Sequence, residues 1–148
     1  MKKTILLSSL MIAILSFSTA FTSLVKTQKK HTGIEFYEGT WGSALAQARK
    51  DNKLVFLDAN ATWCPPCKAL KKRTFTDSAV GKFYNEHFIN VDMNMEVGEG
   101  KTVAAKYAVN AYPTLIFVNG KGEIVKKTTG FMHPAEFLAL GKAVIKNK

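Results

Sequence analysis

Leu54-Val55-Phe56-Leu57-Asp58-Ala59-Asn60-Ala61-Thr62-Trp63-Cys64-Pro65-Pro66-Cys67-Lys68 is the stretch from which the rest of the chain is read. Its first four residues form a continuous apolar run, the pattern of a central strand buried on both faces rather than of a strand that alternates with solvent. Its last residues open a helix that continues through Lys72. The chain's 2 cysteines stand between that strand and that helix, and Cys-x-x-Cys in this setting reads as a redox pair. A spacing of three brings both sulfurs to one side of the first helical turn, close enough to bond without unwinding it. The positive end of the helix and its free N–H groups favour thiolate over thiol and lower the pKa of Cys64; only the thiolate attacks. Pro65 and Pro66 are tolerated because first-turn N–H groups have no helical partner. They also remove two donors, which leaves the N–H groups of Cys67 and Lys68 and the helix dipole to stabilise Cys64.

Upstream, Ile34 to Tyr37 reads as a short first strand. Thr40 then caps a helix from Trp41 to about Lys50 with Ala44, Leu45 and Ala48 on its buried side. Downstream, Asp77 or Thr76 caps a helix containing Val80, Phe83 and Tyr84, and Phe88 to Asp92 reads as a strand. Met93 to Gly100 is a predicted loop. Val103, Ala104 and Tyr107 recur at helical spacing in a short helix ending near Tyr107. Leu115 to Val118 is a second buried strand, and Asn119-Gly120-Lys121-Gly122 is a hairpin signal that returns Glu123 to Lys127 antiparallel to it. Pro134 opens a last amphipathic helix with Phe137, Leu138 and Val144 inward. Strands and helices in this order predict an α/β architecture, a mixed sheet with helices on both faces.

The first residues carry a different message. Lys2-Lys3, an apolar run from Ile5 to Phe17 and the small residues Ser18-Thr19-Ala20 read as a secretory signal over residues 1–20. The competing reading is an uncleaved membrane anchor, since no charge lies between Thr4 and Val25 and roughly 20 apolar residues span a bilayer; the frequent Ser and Thr favour cleavage. In both cases the remainder is expected outside the cytoplasm, periplasmic or extracellular. With no cysteine before Cys64, a lipid anchor on a processed N-terminal cysteine is not expected. Residues 21–32 are polar and basic, a flexible leader, and residues 33–148 suffice for one domain with a single core. Without Lys2 and Lys3, the 21 basic residues become 19 against 11 acidic ones, a charge of about +8 that favours solubility and acidic surfaces. Apart from one helical cluster the basic residues are dispersed, and no basic stretch is interleaved with aromatics, so nucleic acid is not an expected partner.

Other uses of two cysteines compete with redox exchange. A purely structural disulfide closes so short a loop that it restricts the unfolded chain little. A zinc site would need His31, His87 or His133, none at the close spacing structural sites use. A Cu(I) site could recruit Met93, Met95 or Met132, although methionine more commonly fills irregular gaps in a core.

Two separated stretches resemble the thioredoxin superfamily. Asp58 to Lys68 is similar to its active-site segment, including the acid six residues before the first cysteine. Tyr107-Ala108-Val109-Asn110-Ala111-Tyr112-Pro113-Thr114 is similar to its second signature, in which the proline is cis. The resemblance runs from about Gly33 to the C-terminus and implies a thioredoxin-like fold and thiol–disulfide exchange with protein thiols or disulfides, without a cofactor or metal. It implies an exposed, attacking Cys64 and a deeper, resolving Cys67. Asp58 becomes a buried acid that moves protons for Cys67, its pKa raised by desolvation. Trp63 shields the pair, and cis Pro113 brings the backbone of Tyr112 beside the sulfurs as an edge for an extended substrate. The plainer alternatives are a strand-end Asp58 reaching water, a core Trp63 and a trans Pro113 that starts a strand.

The chain departs from thioredoxin proper at Pro65, where the family has glycine, and in the strand Phe88 to Asp92, which lacks the family's buried lysine. Lys68, Lys71, Lys72 and Arg73 read as a solvated helical face, or else as a cluster that attracts acidic partners or steadies the thiolate. Family dithiols span roughly −270 to −120 mV, from reductants to oxidants. Export favours a monomeric reductant recharged by a membrane electron-donor protein, including one serving cytochrome maturation, ahead of an oxidant or isomerase. A non-catalytic peptide-binding module and a Cu(I) chaperone are the readings from other classes.

Overall fold

The computed structural model describes residues 33–147; the expected signal and leader lie outside the described residues. Among the described residues, five helices and four strands follow one another: α1 (Trp41–Asp51), β1 (Leu54–Asn60), α2 (Pro65–Arg73), α3 (Ser78–His87), β2 (Phe88–Asn94), α4 (Glu99–Lys106), β3 (Thr114–Val118), β4 (Ile124–Thr129) and α5 (Pro134–Lys146). The sheet order is β2-β1-β3-β4. β1 pairs parallel with β2 and antiparallel with β3, and β4 returns antiparallel along β3.

The apolar run of β1 is buried on both faces as its pattern predicts, and the strand continues three residues further, through Asp58, Ala59 and Asn60, all buried. Alternate side chains of a strand face opposite ways, and this parity divides the core. Val55, Leu57 and Ala59 join Ile116 and Val118 against Trp41, Ala44 and Ala48 of α1 and Val103 and Tyr107 at the end of α4. Leu54 and Phe56 join Leu115 and Phe117 against Leu70 of α2, Val80 and Tyr84 of α3, and Phe137 and Val144 of α5. Burying a side chain such as Phe56 stabilises the fold by about 2–3 kcal/mol. Asp58 shares the parity of Leu54 and Phe56, so it points to the side of the sheet that α2 covers.

The caps follow the sequence. Thr40 Oγ1 accepts from Ser43 N–H at 3.1 Å, and Asp77 rather than Thr76 caps α3, its Oδ1 accepting from Ala79 and Val80. Thr76 instead donates its hydroxyl to the Lys72 carbonyl. Pro65 and Pro134 occupy first turns. Gly122, at φ +80°, closes the hairpin turn, where its N–H donates to the Asn119 carbonyl.

Three expectations are corrected. Ile34 to Tyr37 is not a strand of the sheet. Tyr37 N–H does reach the Asn90 carbonyl, but Glu35 N–H donates to the Asn85 side chain and Asn90 Nδ2 donates to the Glu35 carbonyl. Side-chain amides thus occupy the places a backbone ladder needs. The predicted 93–100 loop shortens because β2 runs on to Asn94 and α4 begins at Glu99. The hairpin strand begins one residue later than expected and ends at Thr129.

Candidate active site

Cys64 is the N-cap of α2, with extended backbone, and Cys67 lies in the first turn. Their sulfurs are bonded and their Cα atoms are 5.4 Å apart. The N–H of Cys67 points at Cys64 Sγ, 3.2 Å away. The second expected donor is otherwise engaged: Lys68 N–H bonds the Cys64 carbonyl at 3.2 Å. Prolines at the two intervening positions therefore leave the Cys64 sulfur with the Cys67 N–H and the helix dipole.

Cys64 is not exposed as expected. Its residue surface is 1 % accessible and that of Cys67 is 2 %; the two pack with Ala61, and Tyr112 lies against them. Trp63, by contrast, is 62 % accessible, which removes the core-tryptophan alternative. Its indole is held in place by an Nε1–H bond to Glu96 Oε2 at 2.8 Å and by an edge contact with the Tyr112 ring. The Tyr112–Pro113 bond is cis. Desolvation and then the Glu96 carboxylate hold the Tyr112 phenol above its ordinary pKa.

Asp58 is fully buried, which removes the alternative of a strand-end carboxylate in water. Burial first, and the Asp92 carboxylate second, raise its pKa to about 7, against the opposing pull of Lys71 and of an Asn60 hydrogen bond. Asn60 Nδ2 lies 3.2 Å from Asp58 Oδ2 and 2.5 Å from Asp92 Oδ1. Asp58 Oδ1 has no hydrogen-bond partner among the described residues. A carboxyl that holds its proton near neutrality and keeps one oxygen unengaged can take or give a proton at neutral pH.

Sequence reasoning missed Asn60, Asp92, Lys71 and Glu96. Two of them had a readable placement: Asn60 shares the parity of Asp58 on β1, and Lys71 stands four residues after Cys67, one turn along the same face of α2. Asp92 becomes the partner of Asp58 only through the register of β1 with β2. Lys71 is thus withdrawn from the solvated cluster into an ion pair with Asp92 at 2.7 Å, while Lys68, Lys72 and Arg73 stay exposed. Glu96 sits in the β2–α4 loop, where no periodicity brings it to Trp63.

The methionines proposed for copper are placed in packing roles: Met95 is buried in the α1 core with Met93 against it, and Met132 packs on the other core. His133 precedes α5, where its N–H donates to Glu136.

Residues 41–145 match the family described as Thioredoxin-like domain. The chain belongs to the thioredoxin-like domain family. Among relatives of this thioredoxin-like chain, Thioredoxin H4 of Arabidopsis thaliana is 37 % identical over 90 residues, which cover 61 % of the chain and 71 % of that protein. The thiol:disulfide interchange protein DsbD of Colwellia psychrerythraea is 34 % identical over 106 residues, 69 % of the chain but 17 % of DsbD. A solution structure of a proposed disulphide-isomerase from Bacteroides thetaiotaomicron superposes with a TM-score of 0.69 at 43 % identity, covering 79 % of the chain and 97 % of that structure. These relatives agree with a thioredoxin-like fold and with thiol–disulfide oxidoreductase chemistry.

Proposed function

We propose that the protein is an exported thiol–disulfide oxidoreductase that works as a reductant of protein disulfides. The observation that carries this reading is the Cys67 N–H aimed at Cys64 Sγ at the start of α2, above a strand whose Asp58 is buried and faces the same side of the sheet. In the reduced protein the Cys64 thiolate attacks one sulfur of a substrate disulfide; the other leaves as a thiolate and takes up a proton. Cys67 gives its proton to Asp58, and its sulfur displaces the substrate's remaining sulfur from Cys64 as a thiolate, which takes up the proton that Asp58 then releases. The substrate departs with two thiols, and the protein is left with the Cys64–Cys67 bond, having transferred two electrons.

Trp63, Tyr112 and Pro113 form the surface on which the substrate chain lies. Trp63 supplies an exposed aromatic face, and the segment before β3 supplies an extended edge. A dithiol donor must return the two electrons. The signal-like residues 1–20 support a location outside the cytoplasm, where a membrane electron-donor protein is the natural source, and the protein acts as a monomer.

Insulin reduction driven by dithiothreitol, compared between the native protein and Cys64→Ser, tests the chemistry: activity is expected in the first and absent in the second. Equal rates would refute exchange and leave the peptide-binding module. Equilibration with glutathione tests the direction. A potential near roughly −270 mV supports a reductant, and one near −120 mV reverses the assignment.

A further inference from the structure

β2 carries no basic residue, and the cation that acts on Asp58 comes from α2 instead. Lys71 Nζ is 2.7 Å from both oxygens of Asp92. Asn60 Nδ2 bridges Asp92 Oδ1 to Asp58 Oδ2 and also reaches the Asp58 carbonyl at 3.1 Å. The row runs from a cation at the protein surface, through a partly exposed carboxylate and a buried amide, to a buried carboxyl. Backbone register holds it in place, since Asp58 and Asp92 are partners across β1 and β2, and Asn60 follows Asp58 on the same face.

We infer that the Lys71–Asp92 ion pair, clasped to Asp58 through the Asn60 amide, sets the proton affinity of that buried carboxyl and with it the pH at which Cys67 resolves the mixed disulfide. This rests on the exchange chemistry proposed above and assigns three positioning residues to it.

The elements packed around Asp58 restrict what else could play this part. From β2 it meets Asp92, from α2 Lys71, and from its own strand Asn60. Its partner on β3 is the apolar Leu115. Cys67, the group it serves, stands one turn before Lys71 on α2. Asp92 alone would disfavour a second negative charge at Asp58, and Lys71 alone would favour it. They act in opposite directions, so moving or neutralising either one displaces the balance in a known direction. Because the pair lies at the surface, it does this without opening the core, and Asp58 Oδ1 stays unengaged among the described residues for the proton that Cys67 gives up.

Lys71→Met and Asp92→Asn discriminate, since both alter partly exposed side chains and push Asp58 in opposite directions. Two readouts are used. Carbon NMR of the Asp58 carboxyl in the oxidised protein reports its titration without any turnover. Reaction of the reduced protein with an aromatic nitrobenzoate disulfide reports exchange in two steps: Cys64 releases a first coloured thiol, and Cys67 releases the second. Lys71→Met is expected to move both the carboxyl titration and the midpoint of the second step upward by roughly half a pH unit or more, and Asp92→Asn to move both downward by a similar amount. Lys71→Arg keeps the cation and is expected to restore native midpoints, which a merely structural role for the lysine would not require. The inference is overturned if the two variants shift the titration the same way or not at all, or if the titration moves while the second step does not. A native protein that releases only one coloured thiol overturns the exchange chemistry itself.

Discussion

The backbone N–H of Cys67 lies 3.2 Å from the sulfur of Cys64, inside the first turn of the helix that both residues begin. The donor that would steady a thiolate at position 64 is therefore carried by the residue proposed to resolve it. On the proposed mechanism, one covalent spacing would provide attack, charge stabilisation and release.

The two cysteines are expected to fail differently. Cys64→Ser removes the nucleophile and should abolish insulin reduction. Cys67→Ser should retain attack but accumulate mixed disulfides with the substrate, which non-reducing electrophoresis detects as adducts that dithiothreitol dissolves. Equal behaviour of the two variants would contradict the division of roles.

Asp58 should leave its mark on stability. Its pKa of about 7 in the fold lies above the ordinary 3.8, so between those values the folded protein binds a proton that the unfolded chain has released. Stability from this group is full below pH 3.8 and is lost as pH rises through about 7. The loss approaches ~4 kcal/mol, since each unit is worth about 1.4 kcal/mol. Urea melts of the oxidised protein at pH 4 and pH 8 should show this fall in the native chain but not in Asp58→Asn, whose stability relative to native should therefore improve at the higher pH.

Trp63 is exposed, tethered to Glu96, and outside both cores. Trp63→Ala should leave folding stability within about 0.5 kcal/mol of native while raising KM for insulin about tenfold, the scale of an aromatic anchor at an interface. Calorimetry and steady-state kinetics separate the two effects; an unchanged KM would remove Trp63 from the substrate surface.

Gly141 provides a control remote from the cysteines. A Cβ there would stand 2.9 Å from the Tyr84 ring, which stacks on Phe137 with centroids 4.3 Å apart and donates its hydroxyl to the Phe137 carbonyl. Gly141→Ala should cost about 1–3 kcal/mol through overpacking, read as a lower urea midpoint, with the potential of the cysteine pair unchanged.

The elements legible in advance were those in which local pattern and burial agree. The apolar run at 54–57, the caps at Thr40 and Asp77, the turn at 119–122 and the proline-led last helix all stand where periodicity and turn chemistry put them. Ile34 to Tyr37 was misread because its apolar pattern is real while its hydrogen bonds are not those of a ladder: Ile34 and Tyr37 reach backbone carbonyls of two different segments, and the Asn85 and Asn90 side chains meet Glu35 between them. The burial of Cys64 was not legible because residue type predicts reactivity but not that Ala61 and Tyr112 pack against the bonded pair.

Sequence alone determined the chemistry that spacing controls: a pair of sulfurs three residues apart at a helix start, and an acid six residues earlier on a buried strand. Covalent geometry and helical periodicity act over a few residues, so these relations survive without knowledge of the fold. Tertiary structure decided what surrounds them. Lys71 reaches Asp92, Asn60 bridges Asp92 to Asp58, and Glu96 holds Trp63 because separate segments meet in space, and electrostatic and hydrogen-bonding partners are set by that distance rather than by position along the chain.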